Sequence, residues 1–229
     1  CSGREAVAAG QQFAPTPQNL EARTQRFTLG SGLHVALLPK KTRGGTVMVS
    51  ANFRFGDVAS LTGREDAAGL AGAMLMRGSQ SLTREQIDQR FEALKTEADI
   101  DGNLQGASTS LLSRSNTLAE ALALAADVLR HPAFPETEFE QLRLQALTGL
   151  EASRKEPGSV AGQALAEHFD PWPVGHPLHI QTLDQSIAGV RALKRDDLAA
   201  FHRDFFGTAE GKIAVVGDFD PVAVKQQLQ

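Results

Sequence analysis

The order of strand-like and helix-like segments constrains the fold of this 229-residue chain more than any other feature. Near its start, TVMVSANFRFG at residues 46–56 alternates apolar and polar side chains, which is the period of a half-buried strand. The sequence KIAVVGD at residues 212–218 is an apolar strand near the end, and helical patterns fill the region between. This order predicts an α+β fold in which a mostly antiparallel sheet is covered by helices on one side.

Capping signals mark where several helices of the middle region begin. In a capping box, a Ser or Thr side chain bonds a backbone N–H three residues on, and a Glu or Gln there bonds back. A further helix is predicted from Pro135 to about Arg154, because proline favours the first helical position. The small, polar residues 97–112 predict two strands with a kink or turn near Gly102. The predicted capping boxes pair Thr83 with Gln86, Thr117 with Glu120 and Thr182 with Gln185.

Length and local composition predict one folded domain preceded by a tail. Residues 1–24 contain prolines and small residues without a sustained period, so we expect a linker or flexible tail there. Residues 25–229 are long enough for a single domain with a substantial core. Cys1 is the one cysteine, and it has two interpretations: the acylated end of a mature bacterial lipoprotein, or an arbitrary boundary.

Charge and hydropathy exclude two classes of function. The net charge is −4, the two signs are interspersed, and like-charged residues do not form the clusters that bind nucleic acid. There is also no continuous apolar run long enough for a transmembrane helix. We therefore expect neither a nucleic-acid-binding protein nor a membrane-spanning one.

Several segments, in order, resemble the M16 metallopeptidases, the family of pitrilysin, insulinase and the mitochondrial processing peptidase. They are RFTLGSGLHVALLP at 26–39, GLAGAMLMRGSQSLTREQIDQRFEAL at 69–94, GHPL at 175–178 and the helix-strand region from Ser186 to Pro221. The resemblance implies an M16, LuxS/processing-peptidase-like metallohydrolase domain. Such domains pair into shells that enclose peptide substrates, and this chain is expected to be one of them.

The family's zinc motif is His-x-x-Glu-His on a helix, where two histidines one turn apart grip Zn²⁺ and the glutamate acts as general base. Aligning the glycine-rich lead-in and the MLMRGS segment places the two histidine positions at Gly69 and Ala73 and the base at Gly72. The third-ligand position falls near Gly149, with Glu151 two residues on. None of these small residues binds zinc or transfers a proton, and one carboxylate cannot hold the ion alone. The resemblance therefore implies no catalytic residue, metal or cofactor in this domain.

Other candidate sites are weaker. In catalytic relatives an edge strand near the zinc pairs with the substrate backbone; its counterpart here is residues 97–103, with Glu97, Asp99, Asp101 and Asn103 as candidate peptide-binding residues. The pair His176 and His179 lies in a proline-rich loop without an obvious third metal ligand. The serines near residue 110 lack the Gly-x-Ser-x-Gly elbow of a serine hydrolase.

The leading hypothesis is a non-catalytic domain of a bacterial M16 zinc metallopeptidase that helps enclose and position peptides for a zinc-bearing lobe. That lobe, in the same chain or a separate subunit, is expected to carry the zinc and the endopeptidase activity. The alternative is a structural or peptide-binding module of the same fold with no protease role. An autonomous hydrolase with a relocated site is a third, less supported reading. The resemblance points to the periplasm, or to the outer membrane if Cys1 is lipidated.

Overall fold

The computed structural model describes residues 10–229, which contain a six-stranded mixed sheet. The strands lie in the order β1-β2-β6-β3-β5-β4 across the sheet. Only β2 and β6 run parallel, and the other neighbouring pairs are antiparallel. The predicted α+β class and mostly antiparallel sheet are confirmed, while the likeness to LuxS stays a prediction. The strands are β1 Gln25–Thr28, β2 His34–Pro39, β3 Thr46–Arg54, β4 Glu97–Asn103, β5 Gly106–Arg114 and β6 Gly211–Gly217.

The helices fall mainly between β3 and β6, as predicted. The longest is α6, and among residues 10–229 no helix is both long and apolar enough to cross a membrane. Their bounds are α1 Pro17–Arg23, α2 Val58–Leu61, α3 Glu65–Met74, α4 Arg84–Ala93, α5 Leu118–Arg130, α6 Glu136–Ser153, α7 Pro157–His168, α8 Leu183–Ala192, α9 Arg195–Phe205 and α10 Pro221–Leu228.

One face of the sheet forms the core and the other is open. Along β3, Val47, Val49 and Ala51 are buried, while Met48 on the opposite face is 56% exposed. Strand β5 alternates in the same way, with Ala107, Thr109, Leu111 and Ser113 buried. Since successive side chains of a strand point to opposite faces, this alternation places the covering helices on one side of the sheet.

Two of the three predicted capping boxes are confirmed. Thr83 and Gln86 exchange the expected bonds at the start of α4, and Thr182 and Gln185 do so at the start of α8. The prediction at Thr117 is wrong: its side chain makes no cap bond to α5 and instead donates a hydrogen bond to the Leu94 carbonyl at 2.9 Å. The hydroxyl therefore donates to a distant carbonyl and does not accept the local backbone N–H of a capping box.

Part of the predicted tail has structure. Helix α1 begins after Thr16, whose Oγ1 accepts the N–H of Asn19, and Arg23 donates to the Pro39 carbonyl at 3.1 Å. The segment before it bonds through the Gln11 N–H to the Lys41 carbonyl at 3.0 Å. The domain boundary at residue 25 stays a prediction, and Cys1 lies outside the described residues.

One buried hydroxyl on the core face predicts a stabilising substitution. The Thr109 Oγ1 atom has no hydrogen-bond partner within residues 10–229, whereas Ser113, four residues on, bonds Thr96 at 2.8 Å. An unpartnered buried hydroxyl costs roughly 1–3 kcal/mol. We expect Thr109→Val to raise the free energy of unfolding by about 1 kcal/mol, because valine keeps the shape and removes the penalty.

Chemical denaturation of the two variants measures this difference. The matched change Ser113→Ala is expected to lower the free energy of unfolding by about 1 kcal/mol, because it leaves the Thr96 hydroxyl without that partner. A loss of stability in Thr109→Val equal to that of Ser113→Ala contradicts the prediction.

Candidate functional site

Helix α3 carries Gly69, Gly72 and Ala73, which the sequence resemblance predicts to correspond to the family's zinc motif. Its first turn contains Glu65 and Asp66, which suit the positive end of the helix dipole. The helix packs between β4 on one side and α9 on another, and part of it approaches α6. Within this helix Gly72 is buried, while Gly69 and Ala73 lie on its exposed face.

Gly72 lies directly against the backbone of strand β4. A Cβ atom built at position 72 would overlap the carbonyl group of Gly102, and one built on Gly102 would lie 3.3 Å from the Cα of Gly72. Two glycines therefore allow the helix and the strand to approach backbone to backbone. Position 72, which is predicted to correspond to the family's general base, therefore has no room for a side chain.

The two aligned histidine positions are different, because they are open. A Cβ at Gly69 meets nothing within 4 Å among the residues that the structure describes, and the same is true of Gly149 on α6. Ala73 is exposed one helical turn after Gly69. The aligned ligand positions thus face open space, and the aligned base position is closed by the sheet.

Glu151, the acid closest in sequence to the third-ligand position, is engaged in ion pairs. Its carboxylate lies 3.3 Å from the Arg154 guanidinium and 2.9 Å from that of Arg191 on α8. The pair with Arg191 joins α6 to α8, while the pair with Arg154 lies at the end of α6 itself. Both pairs are exposed and contribute about 0–1 kcal/mol each. The structure gives Glu151 a connecting role between two helices.

The histidine pair in the proline-rich loop is held by other groups. The His179 Nδ1 lies 2.6 Å from the Asp170 carboxylate, and the His176 ring stacks on Trp172 with centroids 4.1 Å apart. The His176 Nδ1 accepts the Leu178 N–H at 3.1 Å. In residues 10–229, no three His, Cys, Asp or Glu side chains come together as metal ligands would.

A serine, an aspartate and a histidine lie together near the end of α5, but the histidine does not contact the serine. The Ser81 hydroxyl donates to one oxygen of Asp127 at 2.8 Å, and His131 contacts the other oxygen at 3.2 Å. A catalytic serine needs the histidine beside it as base. Here the Asp127 carboxylate lies between the serine and the histidine. Its hydrogen bond with Ser81 joins the loop before α4 to α5.

The candidate peptide-binding strand is an outer strand of the sheet. Glu97, Asp99, Asp101 and Asn103 on β4 are all exposed, and only β5 pairs with β4 within the described range. The Asp101 carboxylate accepts the Gly102 N–H at 2.7 Å, and Asn103 accepts two N–H groups of the following turn. Helix α3 packs against β4 and approaches it most closely at Gly102, so that end of the strand is covered by the helix.

An aromatic cluster supports the contact between α3 and β4 from below. Phe206 follows α9, and its ring lies 3.4 Å from where a Gly102 Cβ would be. The ring packs against Phe55 at 4.6 Å and against the His202 imidazole at 4.5 Å between centroids. The His202 Nε2–H donates to the Leu129 carbonyl at 2.8 Å, which joins α9 to the end of α5.

His202 makes the stability of this cluster dependent on pH. Burial lowers the pKa of His202 below its ordinary value of 6.5, and the hydrogen bond to Leu129 opposes that shift only in part. As pH falls, the unfolded chain takes up this proton before the folded protein does. The stability is therefore complete above the unfolded pKa and is lost as pH falls towards the lower, folded pKa.

Urea denaturation at about pH 7.5 and about pH 5.5 tests this dependence. We expect the wild-type midpoint to be lower at the acidic pH, and the difference to be smaller in His202→Gln, whose amide donates a hydrogen bond but does not titrate. An equal decline in both proteins assigns the dependence to other groups.

The contact between Gly72 and Gly102 is not predictable from the local sequence. The two strands predicted around Gly102 are present, and the turn between them follows at Leu104 and Gln105, while Gly102 itself lies inside β4. A glycine within a strand also marks a site where another backbone approaches closely, and that signal was present. Nothing local to the sequence says which segment approaches.

Known structures share this arrangement of helices and strands. The peptidase M16 inactive domain from Pseudomonas fluorescens matches with a TM-score of 0.76 and 23% identity, over 89% of this chain and 48% of that one. The periplasmic protease PqqL from Escherichia coli matches with a TM-score of 0.73 and 14% identity, over 97% of this chain and 23% of that one. A mutant of the ferredoxin protease FusC, in complex with Arabidopsis ferredoxin, matches with a TM-score of 0.68 and 14% identity, over 90% and 23%.

No protein-family model and no curated protein sequence matches the chain. The structural likeness is nevertheless close along most of its length, and the chain spans about half the length of the Pseudomonas fluorescens neighbour. The element order, the mixed sheet and the helices on one face agree with the fold that the sequence resemblance implied. This chain therefore has the fold of the M16 peptidase domains.

Proposed function

We propose that this chain is a non-catalytic domain of a bacterial M16 zinc metallopeptidase. It helps to enclose peptide substrates and to position them for a zinc-bearing lobe, in the same chain or in a partner subunit. The observation that carries the proposal is the contact between Gly72 and Gly102, which leaves no space for a general base at the aligned position.

The packing of α3 on β4 distinguishes a scaffolding domain from a catalytic domain that has only lost its metal ligands. A domain that retained a catalytic cleft would keep a gap between this helix and the neighbouring edge strand for the base, the water and the substrate. Here the helix rests on the strand, and its glycine and alanine positions add no buried polar group. This close packing holds α3 rigidly against β4 and leaves no space for a catalytic group. Such a rigid surface suits a domain that encloses substrate without cleaving it.

The structural neighbours support the same assignment. One of them is described as an inactive domain of peptidase M16, and this chain corresponds to about half of it. PqqL is a periplasmic protease, and FusC was solved with a protein bound, Arabidopsis ferredoxin. By analogy we place this chain in the periplasm or at the outer membrane, acting on peptides or proteins with zinc held by the partner lobe.

Strand β4 is the part of this domain proposed to contact substrate. Its outer edge is unpaired within residues 10–229 and carries Glu97, Asp99 and Asp101. An extended peptide can add to such an edge through main-chain hydrogen bonds, and the three carboxylates would favour a basic peptide. The α3 contact excludes a peptide from the strand at Gly102.

The test compares the chain alone with the chain mixed with the zinc-bearing part, identified by an intact His-x-x-Glu-His motif in the same gene or a neighbouring one. Metal content and cleavage of an unstructured peptide are measured in each sample. We expect no stoichiometric zinc and no cleavage by the chain alone, and a higher rate when it is added to the zinc-bearing part. If the rate is unchanged by addition, the structural module without a protease role is the better assignment.

A further inference from the structure

Helix α7 stands apart from the core. It has 12 residues, and none of them is buried by the chain from residue 10 onwards. Isolated helices of this length are marginal in water, and most helices in proteins are stabilised by packing of an apolar face. The start of α7 is capped by Glu156, whose carboxylate accepts the Ser159 N–H, and its middle is held by Gln163, which donates to the Gln181 carbonyl at 2.8 Å.

Large apolar side chains project from α7 and from the loop that follows it. Phe169 is 72% exposed and Val174 is 80% exposed. Soluble proteins seldom expose several large apolar groups side by side, and such groups mark interaction surfaces. Leu165 and Phe169 lie four residues apart and therefore project from the same side of the helix end, directly before the loop. We call this surface the α7 patch; it consists of Leu165, Phe169, Trp172, Val174 and Leu178.

The loop part of the α7 patch is held in one conformation by Asp170. The Asp170 carboxylate accepts the N–H groups of Trp172 at 2.9 Å and Ile180 at 2.8 Å, and it pairs with His179. These bonds lower the pKa of Asp170, so the carboxylate is charged at neutral pH. Trp172 is further fixed by stacking on His176. A rigid, exposed tryptophan is a typical anchor of a protein interface, because little entropy is lost when it is covered.

We infer that the α7 patch is the surface on which this domain docks the zinc-bearing lobe; this inference rests on the proposed function. We choose the zinc-bearing lobe as the binding partner because the structural neighbours are longer than this chain. The Pseudomonas fluorescens structure contains about as much further chain as this domain covers, and the PqqL chain contains more. A unit of similar size is therefore available to cover α7, and an apolar surface centred on an aromatic anchor suits a stable contact.

Position along the chain supports this choice of partner. Helix α7 begins at Pro157, shortly after α6 ends at Ser153, and α6 carries the open third-ligand position Gly149. Docking at α7 would therefore bring the partner close to the end of α6 that carries this predicted position. The α7 patch contains no residue of β4, so this docking surface and the strand proposed to contact substrate are made of different residues.

The test uses the single tryptophan of the chain as a probe. The chain is labelled with fluorotryptophan, so that ¹⁹F NMR reports Trp172 alone, and the unlabelled zinc-bearing part, identified by its His-x-x-Glu-His motif, is titrated in. We expect the resonance to shift on binding, and the double variant Phe169→Asp and Val174→Asp to bind at least about tenfold more weakly. Both side chains are largely exposed, so the variant is expected to fold, which its melting temperature verifies.

The control variant is Met48→Asp with Val222→Asp, which changes two apolar side chains of similar exposure elsewhere on the surface. It is expected to bind as the wild type does. Equal binding by the patch variant and the wild type overturns the docking surface and leaves the proposed function standing. No binding by the wild type overturns both. A concentration-dependent shift without the partner, absent from the patch variant, assigns the α7 patch to self-association and also overturns the inference.

Discussion

Gly72→Ala is expected to lower the free energy of unfolding by about 3 kcal/mol or more, although it adds only one methyl group to a helix. In an ordinary helix position the same change stabilises, because alanine has the higher helix propensity. At Gly72 the new Cβ would overlap the Gly102 carbonyl, and neither backbone can move without disturbing the α3 packing on β4. For a domain of this size the loss corresponds to a fall of roughly 6–12 °C in melting temperature.

Gly69→Ala is the matched control, since the residue lies one turn earlier in the same helix. Its Cβ would meet nothing within 4 Å in the part of the chain that the structure describes, so we expect stabilisation by about 0.5–1 kcal/mol. Thermal denaturation of the two variants therefore gives shifts of opposite sign. If both variants are stabilised, α3 does not rest on β4, and the main argument against a general base at position 72 is lost.

The contrast between these glycines shows where sequence reasoning succeeds and where it fails. The strand at residues 46–54 and the helix starts after Thr83 and Thr182 depend on local periodicity and local hydrogen bonds, so the sequence was sufficient to predict them. Thr117 was predicted wrongly because its hydroxyl found an acceptor at Leu94, far away in sequence. A local pattern cannot reveal a competing tertiary partner.

The sequence predicts which residues occupy the candidate site, but it does not predict how much space surrounds each of them. Alignment of segments placed Gly69, Gly72 and Ala73 on the zinc motif, and this assignment stays a prediction. Only the structure shows that Gly69 and Ala73 are exposed while Gly72 is blocked by the backbone of β4. That difference depends on the distance between α3 and β4, which is set by the packing of the whole domain around Phe206 and its neighbours.

Because Gly69 and Ala73 are exposed and Gly72 is blocked, we expect that zinc binding can be introduced without peptide cleavage. Two histidines at positions i and i+4 lie on one face of a helix and can grip one Zn²⁺ ion. Gly69 and Ala73 have this spacing, and both positions are exposed, so Gly69→His with Ala73→His is expected to fold and to bind zinc. At a zinc concentration of about 100 times the Kd, binding stabilises by about 2.7 kcal/mol, which raises the melting temperature of a domain of this size by roughly 5–10 °C.

The controls separate the metal site from the reaction. The single variant Gly69→His is expected to show a much smaller zinc-dependent shift, since it offers one ligand of the pair. The double variant is expected to bind zinc and still cleave no peptide, because a base cannot be added at position 72 without disrupting the contact with Gly102. Absence of a zinc-dependent shift means that the two positions do not share an open face. Cleavage by the double variant means that another group can act as the base, so the closed position at Gly72 does not by itself keep this domain inactive.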